Sequence, residues 1–103
     1  MAKRFRTVNS IRIDSDLQRG IDFYKELTGE HKVGKRFIRA VKKQIKSLEK
    51  DALIYQVKYD DIRCMYVPKF PYAIHYFLNE KEATAYIEAV FHTAESPEKW
   101  KNK

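Results

Sequence analysis

Arg63, His75, Glu88 and His92 bring a guanidinium, two imidazoles and a carboxylate into one stretch of the chain. Side chains of these types can move protons and stabilise a developing anion, provided the fold gathers them. The stretch that carries them, residues 62–100, also holds most of the β-forming residues, the single Trp and two of the three His. Residues 70–78 and 83–92 are rich in Tyr, Phe, Ile and Val, and Asn79-Glu80-Lys81-Glu82 separates them. That pattern predicts an antiparallel hairpin, with residues 62–67 as a further strand ahead of it.

The pleat of a strand sorts these side chains by parity. Phe70, Tyr72, Ile74, Tyr76 and Leu78 fall on one face, with Ala73, His75 and Phe77 on the other. In the second run Ala85, Ile87, Ala89 and Phe91 make an apolar face, opposed by Tyr86, Glu88, Val90 and His92. In residues 62–67, Ile62, Cys64 and Tyr66 oppose Arg63, Met65 and Val67. If the apolar sets turn toward a core, Arg63, His75, Glu88 and His92 should emerge together on the opposite surface. Tyr86 and Phe77 would share that surface, where aromatic rings can stack on a base.

Each of these residues also has a plainer role. Tyr and Phe are first of all core and sheet residues. His75, between Ile74 and Tyr76, can be a structural histidine, and Glu88 can pair with Arg63 or a lysine. His92, at the end of its run, borders the rim of a sheet and is the better functional candidate.

A length of 103 residues bounds the chain to one small domain, residues 1–103. Hydrophobic residues at 44% and aromatics at 14% describe a folded globule. The lone Cys64 excludes an internal disulfide and fits a reducing cytoplasm. On the expected core face it reads as a small buried apolar residue rather than a nucleophile. No Cys/His spacing resembles a zinc site, so no metal or other cofactor is expected. The N-terminal residues are charged with no apolar run behind them, and nothing approaches the roughly 18 apolar residues of a membrane span. A cytoplasmic protein without a membrane partner is the expectation.

The net charge of +7 is concentrated. Residues 32–50 hold eight basic residues (Lys32, Lys35, Arg36, Arg39, Lys42, Lys43, Lys46, Lys50) against one acid, Glu49. The remaining basic and acidic residues balance at thirteen each. A basic helix face is most often simply solvated; where it does bind, a polyanion or an acidic protein is its natural partner.

The elements that must position these groups can be read in order. Residues 4–13 are β-branched and aromatic enough for a first strand. Asp14-Ser15-Asp16 offers an N-cap oxygen and first-turn acids for a helix over 16–27, where Leu17, Ile21, Tyr24 and Leu27 recur at helical spacing. Thr28-Gly29 ends it. Residues 32–50 form a second helix with Val33, Phe37, Val41, Ile45 and Leu48 as its apolar stripe, widened by Ile38 and Ala40. Residues 51–61 link it to the strands. The predicted order is β-α-α-β-β-β, an α+β fold in which an antiparallel helix hairpin packs on a small, mostly antiparallel sheet.

Ile62-Arg63, then Phe70-Pro71-Tyr72-x-Ile74-x-Tyr76, then Ala89-Val90-x-His92 closing on Pro97-x-x-Trp100, resembles the RelE/ParE family of bacterial toxins. With the two helices, the resemblance covers essentially the whole chain. It implies the toxic partner of a plasmid-stabilising type II toxin–antitoxin pair, neutralised by a cognate antitoxin whose acidic tail folds on the toxin. The RelE-like branch cleaves messenger RNA on the ribosome without a metal. On that reading Arg63 would stabilise the phosphate and His92 would be an acid or base, with His75 and Glu88 added from strand parity. Lys35, Arg36, Arg39, Lys42, Lys43, Lys46 and Tyr86 would contact RNA or the antitoxin.

The chain departs from the family pattern between His92 and Pro97. Relatives commonly carry an arginine there, whereas this segment reads Thr93-Ala94-Glu95-Ser96. An anion in place of a cation should repel a phosphate by about 1 kcal/mol or more in a partly dehydrated site. Glu95 could be a general base in an altered site, the target could be something other than RNA, or the copy could be detoxified. The ParE-like branch inhibits DNA gyrase by binding and needs no acid–base pair, and the Ala-Val-x-His ending resembles that branch rather more. A plain nucleic-acid-binding module is the third reading, with salt-sensitive binding and no effect on growth.

Overall fold

A computed structural model describes residues 3–95, so the Pro97-x-x-Trp100 motif lies outside the described residues. The elements run β1 (Arg6–Asn9), α1 (Ile13–Thr28), α2 (Lys32–Asp51), β2 (Val57–Tyr59), β3 (Ile62–Tyr66), β4 (Tyr72–Asn79) and β5 (Thr84–His92). The expected helix hairpin on a mostly antiparallel sheet is present. One short strand, β2, is added from the segment read as a linker. It has only three residues and pairs with β3 through an irregular register, too short for alternation to mark it.

α1 begins earlier than its caps suggest. Arg12 occupies the N-cap position and makes no side-chain cap, while the Ser15 hydroxyl donates to the Arg12 carbonyl at 3.0 Å. Asp14 and Asp16 thus lie within the first turn, where they favour the positive end of the helix. At the far end Gly29 takes φ +74°, the left-handed conformation glycine tolerates best, and its N–H donates to the Lys25 carbonyl at 2.7 Å. The two helices pack closely because Gly20 has no side chain. A Cβ there would stand 2.3 Å from the buried Phe37 ring.

The five strands lie in the order β1-β5-β4-β3-β2, with β1 parallel to β5 and every other pair antiparallel. The stripe Phe37, Val41, Ile45 and Leu48 of α2 packs with Leu17 and Tyr24 of α1 against Met65, Ile74, Tyr76, Ala85, Ile87 and Val90 of the sheet. Tyr24, Phe37, Phe70 and Tyr72 add an aromatic cluster at one end, with ring centroids 4.6–6.2 Å apart. The Tyr76 hydroxyl donates to the Ala52 carbonyl at 2.6 Å, fixing where the chain leaves α2.

One irregularity re-aims half of β5. His75 pairs with Ala89 and Tyr76 pairs with Ile87, so Glu88 is an extra residue opposite no partner of its own. Such a bulge inverts the parity of everything that follows. Ala85 and Ile87 face the helices as alternation predicts, but beyond Glu88 it is Val90 that joins the helix-side core. Ala89 and Phe91, expected on the core face, are buried on the opposite one, across from His75 and Ala73.

Candidate functional site

The four side chains expected on one surface are not gathered there. β3 has the opposite facing from that expected: Met65 is in the helix-side core, and Cys64 sits across from His75 on the far face. Arg63 therefore points to the helix side, opposite Tyr76. Its guanidinium donates to the carbonyls of Tyr55 at 2.6 Å and Leu53 at 3.4 Å, holding the segment between α2 and β2. The inverted parity after Glu88 puts His92 on the helix side as well, but opposite Tyr72. Four residues along β4 and two strand spacings across it separate Arg63 from His92 by about 16 Å of backbone.

His75 is fully buried on the far face. The Tyr59 hydroxyl is hydrogen-bonded to its Nδ1 at 2.9 Å, the Cys64 sulfur lies 3.4 Å from the same nitrogen, and Phe91 packs edge-on at 5.2 Å. Burial pulls the imidazole down to about 4, with smaller opposed effects of Asp16 and Arg12, so it is neutral at neutral pH. Burial likewise raises the Cys64 thiol to about 11, which leaves it protonated and unreactive. Glu88 projects into solvent from the bulge, where its carbonyl accepts the Ser10 hydroxyl at 2.9 Å. Tyr86 lies on the far face beside Phe77, and its hydroxyl donates to Glu82 at 2.6 Å.

His92 and Glu95 do come together, in a cleft of about 360 Å³ between α1 and the end of β5. Asp16, Arg19 and Phe23 line it from α1, at three- and four-residue spacing along one stripe, and Tyr72 and Val90 from the sheet. The His92 ring stands edge-on to Tyr72 at 5.2 Å and to Phe23 at 5.9 Å. Its Nδ1 accepts the Ala94 N–H at 3.0 Å, so the neutral ring carries its proton on Nε2 and presents a donor there. Burial pushes the Tyr72 hydroxyl up to about 12, helped by Tyr24 and Glu95 and opposed by Arg19.

Asp16 anchors this cleft from beneath. It is 1% exposed, and one oxygen accepts the Val90 N–H at 2.9 Å, just past the point where β1 stops. Its other oxygen receives Arg19 at 2.7 Å, and Arg12 lies 3.3 Å away. Asp16, Arg19, Phe23 and Tyr72 escaped the sequence reading as site residues. The one available signal was the Asp16–Arg19–Phe23 spacing beside the apolar stripe of α1. Among the described residues no three His, Cys, Asp or Glu side chains come together as a metal site.

The remaining predicted contact residues, Lys35, Arg36, Arg39, Lys42, Lys43 and Lys46, are all exposed on α2. Lys46 makes an ion pair with Glu49 at 3.5 Å, on the surface where such pairs contribute little. No described helix is long and apolar enough to cross a membrane.

An antiparallel helix pair on one face of a five-stranded sheet, with a parallel β1 at its edge, is the RelE/ParE-type toxin fold. No protein-family model and no curated protein sequence matches the chain. Among solved structures, a chain of the chromosomal ParDE TA system from P. aeruginosa is similar in fold, with a TM-score of 0.75. The match covers 88% of this chain and 98% of that one, at 14% identity.

Proposed function

We propose that this chain is the growth-inhibiting toxin of a type II toxin–antitoxin pair, kept silent by a cognate antitoxin and acting on its target by binding. The observation that carries this reading is the fold shared with nearly the whole length of a chain from a ParDE toxin–antitoxin system. Binding rather than cleavage is favoured by where the ionisable groups lie. The Arg63 guanidinium is committed to backbone carbonyls, and His75 is buried and neutral on the other face of the sheet. Of the five residues considered for catalysis, only His92 and Glu95 share a cleft. DNA gyrase, the target implied by resemblance to the ParE-like branch, needs no acid–base pair on the toxin.

RNA cleavage is the second reading, and the cleft is what favours it. There Glu95 would take the proton of a 2′-hydroxyl, Arg19 in place of Arg63 would face the phosphate, and the His92 Nε2–H would hydrogen-bond the substrate. Inducible expression without antitoxin separates the two. A DNA-damage response that persists in Arg19→Ala and His92→Ala variants supports target binding. Translation arrest abolished by both substitutions supports the nuclease. Undisturbed growth at confirmed expression would sink the toxin reading altogether.

A further inference from the structure

The cleft between α1 and the end of β5 is lined by two carboxylates, and they are not equivalent. Both oxygens of Asp16 are committed, to the Val90 N–H and to Arg12 and Arg19. Glu95 is half-buried, and its carboxylate forms no ion pair among the described residues. We propose that the cleft is a binding site for a guanine nucleotide, with Glu95 reading the base, Phe23 stacking on it and Arg19 facing its phosphate.

The segment that carries Glu95 is held in place by its own backbone. Thr93 N–H donates to the Pro71 carbonyl at 2.8 Å, Ala94 N–H to the His92 Nδ1 at 3.0 Å and Glu95 N–H to the His92 carbonyl at 3.0 Å. Phe23 is the large apolar side chain of the cleft that stays open, at 41% exposure, whereas Tyr72 and Val90 are buried. Every base has a flat face that such a ring can stack on, so Phe23 supplies affinity without choice. Arg19 keeps donors beyond the one it gives Asp16, and a guanidinium suits a phosphate. At about 360 Å³ the cleft falls within the roughly 300–1,000 Å³ of small-molecule pockets, at the end that suits a single nucleotide.

Choice comes from Glu95. An ionised carboxylate only accepts hydrogen bonds. Guanine alone among the RNA bases has two adjacent donors on its pairing edge, N1–H and the N2 amine, and two carboxylate oxygens meet them side by side. Adenine and cytosine set an acceptor beside their amine, and uracil flanks its single N–H with carbonyls. Each of those brings a lone pair against the carboxylate. The His92 Nε2–H is a donor of the kind that guanine O6 accepts. The anion that repels a phosphate therefore suits a base, whose own phosphate lies a ribose away and falls to Arg19. A carboxylate bonded to a base edge is not free to take a 2′-hydroxyl proton. The proposal thus goes beyond both readings above and needs neither toxicity nor cleavage.

The full chain, isotope-labelled, is titrated with 5′-GMP, 5′-AMP, 5′-IMP and 5′-UMP while its amide spectrum is followed by NMR. GMP should bind about tenfold or more tightly than AMP or UMP, with shifts gathered at Phe23 and residues 92–95. IMP, which lacks the N2 amine, should fall between them. Glu95→Gln replaces one acceptor by a donor and should move the preference from GMP toward AMP, a change that loss of folding cannot imitate. Arg19→Gln should weaken GMP about fivefold or more while leaving guanosine, which has no phosphate, unchanged. Equal affinity for the nucleotides, a guanine preference that survives Glu95→Gln, or shifts confined to the basic face of α2 would each overturn the proposal. A hexauridylate carrying one guanosine identifies the source of the base. Binding tighter than GMP assigns it to RNA, binding no tighter to the free nucleotide, and either keeps the site. No growth readout enters, so guanine binding by a protein that leaves growth unaffected removes only the toxin reading.

Discussion

The two halves of β5 obey opposite rules. Before Glu88 the strand alternates as its sequence promises, with Ala85 and Ile87 toward the helices and Thr84 and Tyr86 away. After Glu88 the facing is reversed: Val90 and His92 turn toward α1, and Ala89 and Phe91 turn away. Both halves are equally apolar, so hydrophobicity alone could not have told them apart. The bulge falls where β1 ends, and Ser10 and Asp16 supply the polar groups that meet it, at the Glu88 carbonyl and the Val90 N–H. One unpaired residue thereby decides which surface owns His92.

Giving that residue a partner should have the largest effect. One residue inserted between His75 and Tyr76 would stand opposite Glu88 and restore simple alternation, which would turn Phe91 toward the helix-side core and carry Val90 and Ile74 out of it. Misplacing several buried side chains at once is expected to cost more than about 4 kcal/mol. Urea unfolding of the insertion variant, or failure to recover soluble protein, would register it. A variant unfolding within about 1 kcal/mol of the parent would mean the reversal is not set by the bulge.

Asp16→Ala comes next. It removes the acceptor of the Val90 N–H and strips a buried partner from Arg12 and Arg19. Losing one member of a buried hydrogen-bonded ion pair costs about 3 kcal/mol or more. The urea midpoint should fall accordingly, and amide exchange at Val90 should accelerate beyond the global change.

Much of this architecture was legible in the sequence because it follows from periodicity. The stripe Phe37–Val41–Ile45–Leu48 fixed α2 to within a residue, and the Asn79–Glu82 turn located the hairpin. Strand facing was not legible past residue 87, since a bulge leaves no compositional mark when small and large apolar residues flank it on both sides. β3 misled for a related reason. Ile62, Cys64 and Tyr66 look no less apolar than Met65 and Val67, and Arg63 can face the helices because the carbonyls of Leu53 and Tyr55 receive it. The cleft around His92 was half visible. Its strand-end position marked His92, while Arg19 and Phe23 come from a helix whose rotation on the sheet no local pattern specifies.

His75 offers a test of the far face. Its imidazole is held near 4 by burial, while in the unfolded chain it protonates near its ordinary 6.5. Above pH 6.5 both states are neutral and its contribution to stability is intact; between about 6.5 and 4 the unfolded state alone takes up the proton, so stability falls with falling pH. The loss over that window is of order 3 kcal/mol. His75→Gln keeps a hydrogen-bonding partner for Tyr59 but cannot titrate, so its urea midpoint should fall less steeply between pH 7 and pH 4 than that of the parent. Identical slopes would place His75 in contact with water.

The smallest effect on stability is expected at Arg19, and it is the most informative about function. Arg19 and Asp16 are 2.7 Å apart, yet the side chain of Arg19 is 59% exposed while that of Asp16 is 1% exposed. The two ends of one ion pair should therefore differ. With Arg19→Gln, Asp16 keeps the Val90 N–H and Arg12, and only a solvent-screened contact is lost, at a cost of less than about 1 kcal/mol. A urea midpoint close to the parent's would show that the reversed half of β5 is held by Asp16 and not by its outer partner. In that stable variant a loss of growth inhibition would have to arise in the cleft itself, through the cation that Arg19 presents beside His92 and Glu95. Full toxicity in Arg19→Gln would instead move the working surface away from the cleft, toward the cationic face of α2.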